Sequence, residues 1–139
     1  LPDFQDIRHE GTGVYAAPDG HGGKLLTATL EATDLVFAAP LYWYGLPASA
    51  KNYLDHWSGW MRVPGLDFRA KMAGKTVWAL SSYSDDDPRM AAPLFDTLRL
   101  TADYMKMHWG GQVLGKGNRP GDVLEDAEAV RAAEALFGA

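Results

Sequence analysis

Cysteine is absent from the 139 residues. Without a thiol there is no disulfide, no thiolate metal site, no iron–sulfur ligation and no cysteine nucleophile. The same absence fits a reducing, cytoplasmic setting. A long hydrophobic run is also missing. The longest uncharged stretch, Leu35 to Ala50, is too short for a bilayer and is interrupted by Pro40, Gly45 and Pro47. Basic charge is sparse and unclustered: residues 1–70 carry 5 basic and 8 acidic groups, residues 71–139 carry 8 and 10, and the net charge is −5. This argues against a partner tracked by its phosphates, such as a nucleic acid. No Gly-x-Ser-x-Gly nucleophile elbow occurs. His9, His21, His56 and His108 lack the spacing of metal ligands.

What is present suits one α/β domain. Apolar residues make up 47% of the chain, enough for a core. Residues 1–22, punctuated by Pro2, Gly11, Gly13, Pro18, Gly20 and Gly22, read as a long surface loop. Gly23 to Thr33 reads as a helix with Leu26 and Leu30 one turn apart. Leu35 to Ala39 is an apolar run stopped by Pro40, the pattern of a strand buried on both faces. Pro47 to Trp57 reads as a helix with Leu46, Ala50, Tyr53, Leu54 and Trp57 on one stripe. Ser58 to Gly74 is a Gly- and Pro-containing connection whose Trp60 and Phe68 are expected to pack against another part of the structure. Thr76 to Leu80 reads as a second buried strand and Ser81 to Asp87 as a polar loop. Asp87-Pro88 opens a helix, an acidic cap followed by proline, with Leu94, Leu98, Thr101 or Ala102, and Met105 inward. Gln112 to Leu114 follows Gly110-Gly111 as a short strand. Asp126 to Phe137 closes the series with Val130, Ala133 and Phe137 inward and Gly138 at a C-terminal cap.

Helices and strands thus alternate, which predicts parallel strands with helices on both faces, a doubly wound three-layer α/β/α sheet. Three strands make a thin sheet for such a fold, so a β-α-β unit is expected ahead of Leu1. Ligands of open α/β sheets sit beyond the carboxyl ends of the strands. Two loops leave such ends: Pro40-Leu41-Tyr42-Trp43-Tyr44-Gly45 and Ser81-Ser82-Tyr83-Ser84-Asp85. Three consecutive aromatics after a strand and a proline cannot all point inward. Their flat faces either receive a flat heteroaromatic ligand or pack on the next helix or a partner subunit. Asp85-Asp86-Asp87 reads as helix capping with a solvated charge cluster, a divalent-cation site being the alternative. Lys51 and Asp55, four apart on a helix, read as a surface ion pair, and His56 as a helix-surface residue. Trp57, Trp60 and Trp109 read as core or subunit contacts.

The stretch Asp34-Leu35-Val36-Phe37-Ala38-Ala39-Pro40-Leu41-Tyr42-Trp43, continued by Lys51-Asn52-Tyr53-Leu54-Asp55, resembles the NAD(P)H-dependent FMN reductase family of flavodoxin-like proteins. Ala73-Gly74-Lys75 before a strand and Pro120-Gly121-Asp122 before the last helix are similar to it as well. The resemblance implies a flavodoxin-like fold and FMN as cofactor. It implies NAD(P)H as co-substrate, and a small-molecule electron acceptor such as a quinone, a free flavin, or a nitro or azo compound. It places Pro40, Leu41, Tyr42, Trp43 and Tyr44 along the isoalloxazine, and Ser81, Ser82 and Tyr83 on its second side near the pyrimidine edge. The flavin carries the chemistry, so no acid–base residue is implied. A homodimer or homotetramer is implied too, with the helix bearing Lys51 and Asp55 near its interface. The serine- and glycine-rich turn that holds the FMN phosphate in that family has no counterpart in residues 1–22, which places it in the expected N-terminal β-α-β unit. An electron carrier of the same fold and a cofactor-free interaction domain remain as alternative readings.

Overall fold

The computed structural model describes residues 1–138. In chain order it forms α1 (Gly20–Glu31), β1 (Asp34–Ala38), α2 (Ala48–Trp60), α3 (Phe68–Met72), β2 (Thr76–Tyr83), α4 (Ala92–Met105), β3 (His108–Lys116) and α5 (Ala127–Phe137). Short 3₁₀ turns at Pro88–Ala91 and Asp122–Glu125 lead into α4 and α5. The strands form one parallel sheet in the order β1-β2-β3, with Leu35 opposite Val77 and Leu80 opposite Val113. A parallel sheet needs a crossover between each pair of strands, and α2 with α3, and then α4, supply them.

Alternation along the strands sorts the side chains onto two faces. One face turns Phe37, Val77 and Ala79 toward α1 to α4, where the core lies. Phe68, Met72, Leu94, Leu98 and Met105 are among its largest fully buried side chains. Trp57 and Trp60 are buried there as expected, edge-on to Phe68 at 5.6 and 5.4 Å. The other face is covered by α5, whose Ala129 is buried and whose Phe137 lies 5.3 Å from Trp78.

Several boundaries differ from the sequence reading, each for a physical reason. β1 is not buried on both faces: Val36 is 53% exposed and Ala38 is exposed, because β1 is an edge strand and α5, on the face to which both point, packs chiefly over β3. α1 begins at Gly20, three residues early, where Gly20 at φ +51 turns the chain into the helix. Ser81, Ser82 and Tyr83 belong to β2 rather than to a loop, since they pair with Leu114, Gly115 and Lys116. β3 begins at His108, ahead of Gly110-Gly111, which the sequence suggests as a break. A register shift between Val77 and Trp78 leaves Gly110 out of the ladder, and Gly111 pairs with Trp78. In α5 the inward positions are Ala129, Val130, Ala133 and Leu136, and Phe137 is half exposed. Gly138 is extended (φ −70) rather than left-handed, and its amide donates to the Glu134 carbonyl. The segment 58–74 contains α3.

Residues 1–19 are irregular but not loose. Asn52 Oδ1 accepts from the Phe4 amide (2.9 Å) and Asn52 Nδ2 donates to the Pro2 carbonyl (2.9 Å). Phe4 stacks on Tyr15 and meets His56 edge-on at 5.5 Å. His56 is therefore half-buried under this segment rather than a free helix-surface residue. Ahead of β2, Lys75 Nζ reaches the Leu30 and Ala32 carbonyls, closing the C-terminal end of α1.

Candidate functional site

All three strands end at one edge of the molecule, and the loops leaving them enclose a cavity of about 390 Å³. The β1 loop contributes Pro40, Leu41, Tyr42, Trp43 and Tyr44; β2 and its loop contribute Ser82, Tyr83, Ser84, Asp85 and Met90; β3 contributes Gly117 and Asn118. A second, mainly apolar cavity of about 520 Å³ lies between the sheet and α5. It shares Pro40 and Ser82 with the first and also carries Ser81, Leu80, Val113 and Gly115. The eight residues singled out in the sequence thus line two adjoining cavities. Seven meet in the first; Ser81 is buried and lines the second.

The β1 loop is held at its root and strained at its tip. At the root, the Ala39 amide donates to the Leu80 carbonyl at 3.0 Å, fastening the loop to β2. At the tip, Tyr42 and Gly45 exchange amide–carbonyl bonds of 3.1 and 3.0 Å around a two-residue turn. Trp43 (φ +49) and Tyr44 (φ +66) occupy the turn, both left-handed. Such a turn favours Asn-Gly, and bulky side chains held there cost of order 1–3 kcal/mol each. Packing does not offset this cost. Trp43 is 94% exposed, Tyr42 61% and Tyr44 48%. Among the described residues none of the three stacks on another ring or on a cation. The packing alternative for these rings therefore finds no support within the chain.

The opposite wall is polar. The Gly117 amide donates to the Tyr83 carbonyl (2.9 Å), and Lys116 Nζ pairs with Asp86 at 3.0 Å, linking the β2 and β3 loops. The Asp cluster is occupied with local structure. Asp85 Oδ1 accepts from the Asp86 and Asp87 amides. Asp87 caps the 3₁₀ turn through the Arg89 amide and pairs with the Arg89 guanidinium at 2.8 Å, which holds its carboxyl below the usual range. Among the described residues no three His, Asp or Glu side chains converge as a metal site. Lys51 and Asp55 form the expected exposed pair.

Ser84 and Asp85 lie in the second of the two loops that the sequence places at strand ends, whereas Met90, Gly117 and Asn118 are not singled out from sequence. The signal for the last two lay in the strand length: a β3 ending at Leu114 hides that Gly117-Asn118 leaves a third strand end. The cavity tests well for a flat heteroaromatic ring, with aromatic and apolar groups on one wall and a polar edge on the other. No Lys or Arg lines it. Ser81 Oγ is buried without a hydrogen-bond partner.

An open parallel sheet with a cleft beyond the carboxyl ends of its strands is the arrangement of the doubly wound α/β class, which takes its ligands there. Comparison with known proteins identifies the group within it. The chain belongs to the flavodoxin-like fold family, whose model matches residues 3–137. It is 33% identical over 138 residues, 99% of this chain and 76% of the relative, to the Bacillus subtilis protein named as an NAD(P)H-dependent FMN-containing oxidoreductase, YwqN. Among solved structures, the Trp repressor binding protein of Bacillus subtilis superposes with a TM-score of 0.78 at 34% identity. That match covers 82% of this chain and 74% of the other. The general stress protein 14 of Treponema denticola, solved in complex with FMN, has a TM-score of 0.59 at 17% identity, covering 81% and 71%, a likeness of fold alone.

Proposed function

We propose that the chain is an NAD(P)H-dependent oxidoreductase that uses FMN, and that the cavity beyond the three strand ends holds the isoalloxazine. The observation that carries this reading is the left-handed Trp43-Tyr44 turn beside that cavity, strained and exposed with no compensating contact in the fold. The identity to a relative named for the same activity over nearly the whole chain supports it. When bound, FMN would supply the redox chemistry, hydride acceptance from NAD(P)H and delivery of two electrons to a small acceptor.

The chain's own residues bind, orient and shield. Pro40 and Leu41 give the ring an apolar wall. Tyr42 and Tyr44 border it with faces that exclude water. Ser82 and Tyr83 present main chain and a hydroxyl to its polar edge, and Met90 offers a polarizable side chain at the same cavity. The phosphate is assigned to a further βα unit against β1. The bare edge of β1 and the exposed Val36 and Ala38 support such a unit, as does the quarter of the relative's length outside the match. A homo-oligomer is part of the reading: Leu100 and Tyr104 stand exposed one turn apart on α4, beside the groove that α4 forms with α2.

Titration with FMN, followed by desalting and a visible absorption spectrum, tests the reading. Retained flavin absorbance that bleaches on adding NADH or NADPH is the expected result. A colourless protein at saturating FMN would overturn it and favour a cofactor-free interaction domain.

A further inference from the structure

Resting on the assignment of the strand-end cavity to the flavin ring, we propose that Met90 is an oxidative modification site: hydrogen peroxide converts its thioether to a sulfoxide, and the sulfoxide weakens the hold on FMN. Cysteine, the other sulfur side chain that peroxide oxidises, is absent, so the five methionines carry all the sulfur of the chain. Four of them belong to the core or pack on it. Met72 is 0% exposed, Met105 1% and Met107 6%, and Met61 packs against the core from the α2–α4 groove. Met90 is half-buried, and among the described residues it is neither part of that core nor packed against it. Its place follows from the 3₁₀ turn that carries it. The Asp87 carboxylate accepts from the Arg89 amide at 2.9 Å at one end, and Ala91 is fully buried at the other. Between these two anchors the Met90 side chain lines the strand-end cavity, together with the Pro40–Tyr44 loop.

The step balances with peroxide as its one co-reactant. The thioether sulfur attacks a peroxide oxygen, the S–O bond forms as the O–O bond breaks, a proton passes to the departing oxygen, and water leaves. Sulfur loses the two electrons that peroxide gains. Peroxide is itself the two-electron product of dioxygen, so a site that passes electron pairs to small acceptors makes this oxidant beside Met90 whenever dioxygen is the acceptor. The product is a polar side chain where a flexible apolar one stood. Its new oxygen accepts hydrogen bonds, and the one charged group on the cavity wall, Asp85, is another acceptor. A ring seated in the cavity would also cut that oxygen off from water, which disfavours the cofactor.

The test treats wild type, Met90→Leu and Met61→Leu with dilute hydrogen peroxide until the mean uptake is one oxygen per wild-type chain. Peptide mass mapping locates the oxygen, flavin fluorescence gives the FMN affinity, and urea unfolding checks the fold. In wild type the oxygen is expected mainly on Met90, with FMN affinity lowered by about tenfold, the scale of covering an unpartnered polar group. Methionine sulfoxide reductases for both epimers should restore the affinity. Met61→Leu should respond as wild type does. Met90→Leu, compared before and after treatment, should keep its own affinity. Oxidation mainly at another methionine would overturn the proposal, as would Met90 oxidation with unchanged FMN affinity. An equal loss in Met90→Leu would overturn it too, and so would a lowered urea midpoint in the oxidised wild type, which would make the loss a matter of folding. Wild type that binds no FMN before any peroxide is added would sink the assignment of the cavity and the cofactor half of the proposal. The oxidation half is read by mass alone and stands or falls on where the oxygen is found.

Discussion

Gly110 lies directly beneath the indole of Trp78: a Cβ built on it would come within 2.5 Å of Trp78 Cδ2. The neighbouring Gly111 sits at φ +147 against Leu136 of α5. Trp78 itself is fixed, since its Nε1 donates to Asp34 Oδ1 at 2.8 Å and its ring packs on Phe137. The glycine pair is therefore the surface on which the sheet receives Trp78 and α5. Replacing Gly110 by Ala should destabilise the protein by about 1–3 kcal/mol through overpacking. Trp78→Leu in the same chain should recover part of that loss, a coupling readable in a double-mutant cycle. Additive effects of the two substitutions in urea unfolding would contradict this account.

The same pair shows where the sequence is legible and where it is not. Hydrophobic stripes on α2 and α4 and the apolar run of β1 are local patterns, and they place those elements to within a few residues. Gly-Gly is locally a break, and only the tertiary contact with Trp78 makes it strand. Likewise Ser81 to Tyr83 are polar and read as loop, yet pairing with β3 extends β2 through them. β1 reads as buried on both faces although it is an edge strand, because an apolar run does not tell an edge strand from a central one. At the site, the aromatic run and Pro40 mark the first wall, as their chemistry is written in consecutive residues. Met90, Gly117 and Asn118 reach the cavity only through the ends of β2 and β3, and no local pattern announces them.

Ser81 Oγ is a buried hydroxyl without a partner. An unsatisfied buried polar atom carries its desolvation cost with no return, so Ser81→Ala should leave the FMN-free protein as stable or more stable by up to about 1 kcal/mol. The neighbouring Ser82 and Tyr83 face the ring cavity, so FMN affinity is expected to change by less than about twofold. A tenfold weakening would instead show that the Ser81 hydroxyl reaches the cofactor. Chemical denaturation and flavin fluorescence, run on the same variant, separate the two.

Asp126 joins β3 to α5. Its carboxylate accepts from the Lys116 amide at 2.8 Å, from the Ala129 amide at 3.0 Å and from the Glu128 amide at 3.2 Å, and these bonds hold its carboxyl below the usual range. With the folded value below the unfolded one, the stabilisation is fully present above the ordinary carboxylate pKa, about 3.9. It is lost as pH falls through the lowered folded value. Asp126→Ala should thus have a lower urea midpoint than wild type at pH 7. The gap should close progressively below about pH 4, where the wild-type group protonates. Equal gaps at pH 7 and pH 3 would mean that the side chain acts through packing rather than as a charged acceptor.

The turn at Trp43 and Tyr44 sets stability against function in two adjacent residues. Both are left-handed, both are largely exposed, and the Tyr42–Gly45 bonds that close the turn are made by main chain alone. Asn and Gly suit such a turn without strain. The double substitution Trp43→Asn with Tyr44→Gly should therefore preserve the turn and raise unfolding stability by about 2–6 kcal/mol, the strain of about 1–3 kcal/mol being released at each position. The same variant should bind FMN more weakly, because two of the rings lining the cavity are gone. A gain in stability with unchanged FMN affinity would detach the strain from the cofactor cavity. A loss of stability would show that the two rings pack on something in the folded protein, and the case for a ligand at this turn would then rest on the cavity alone.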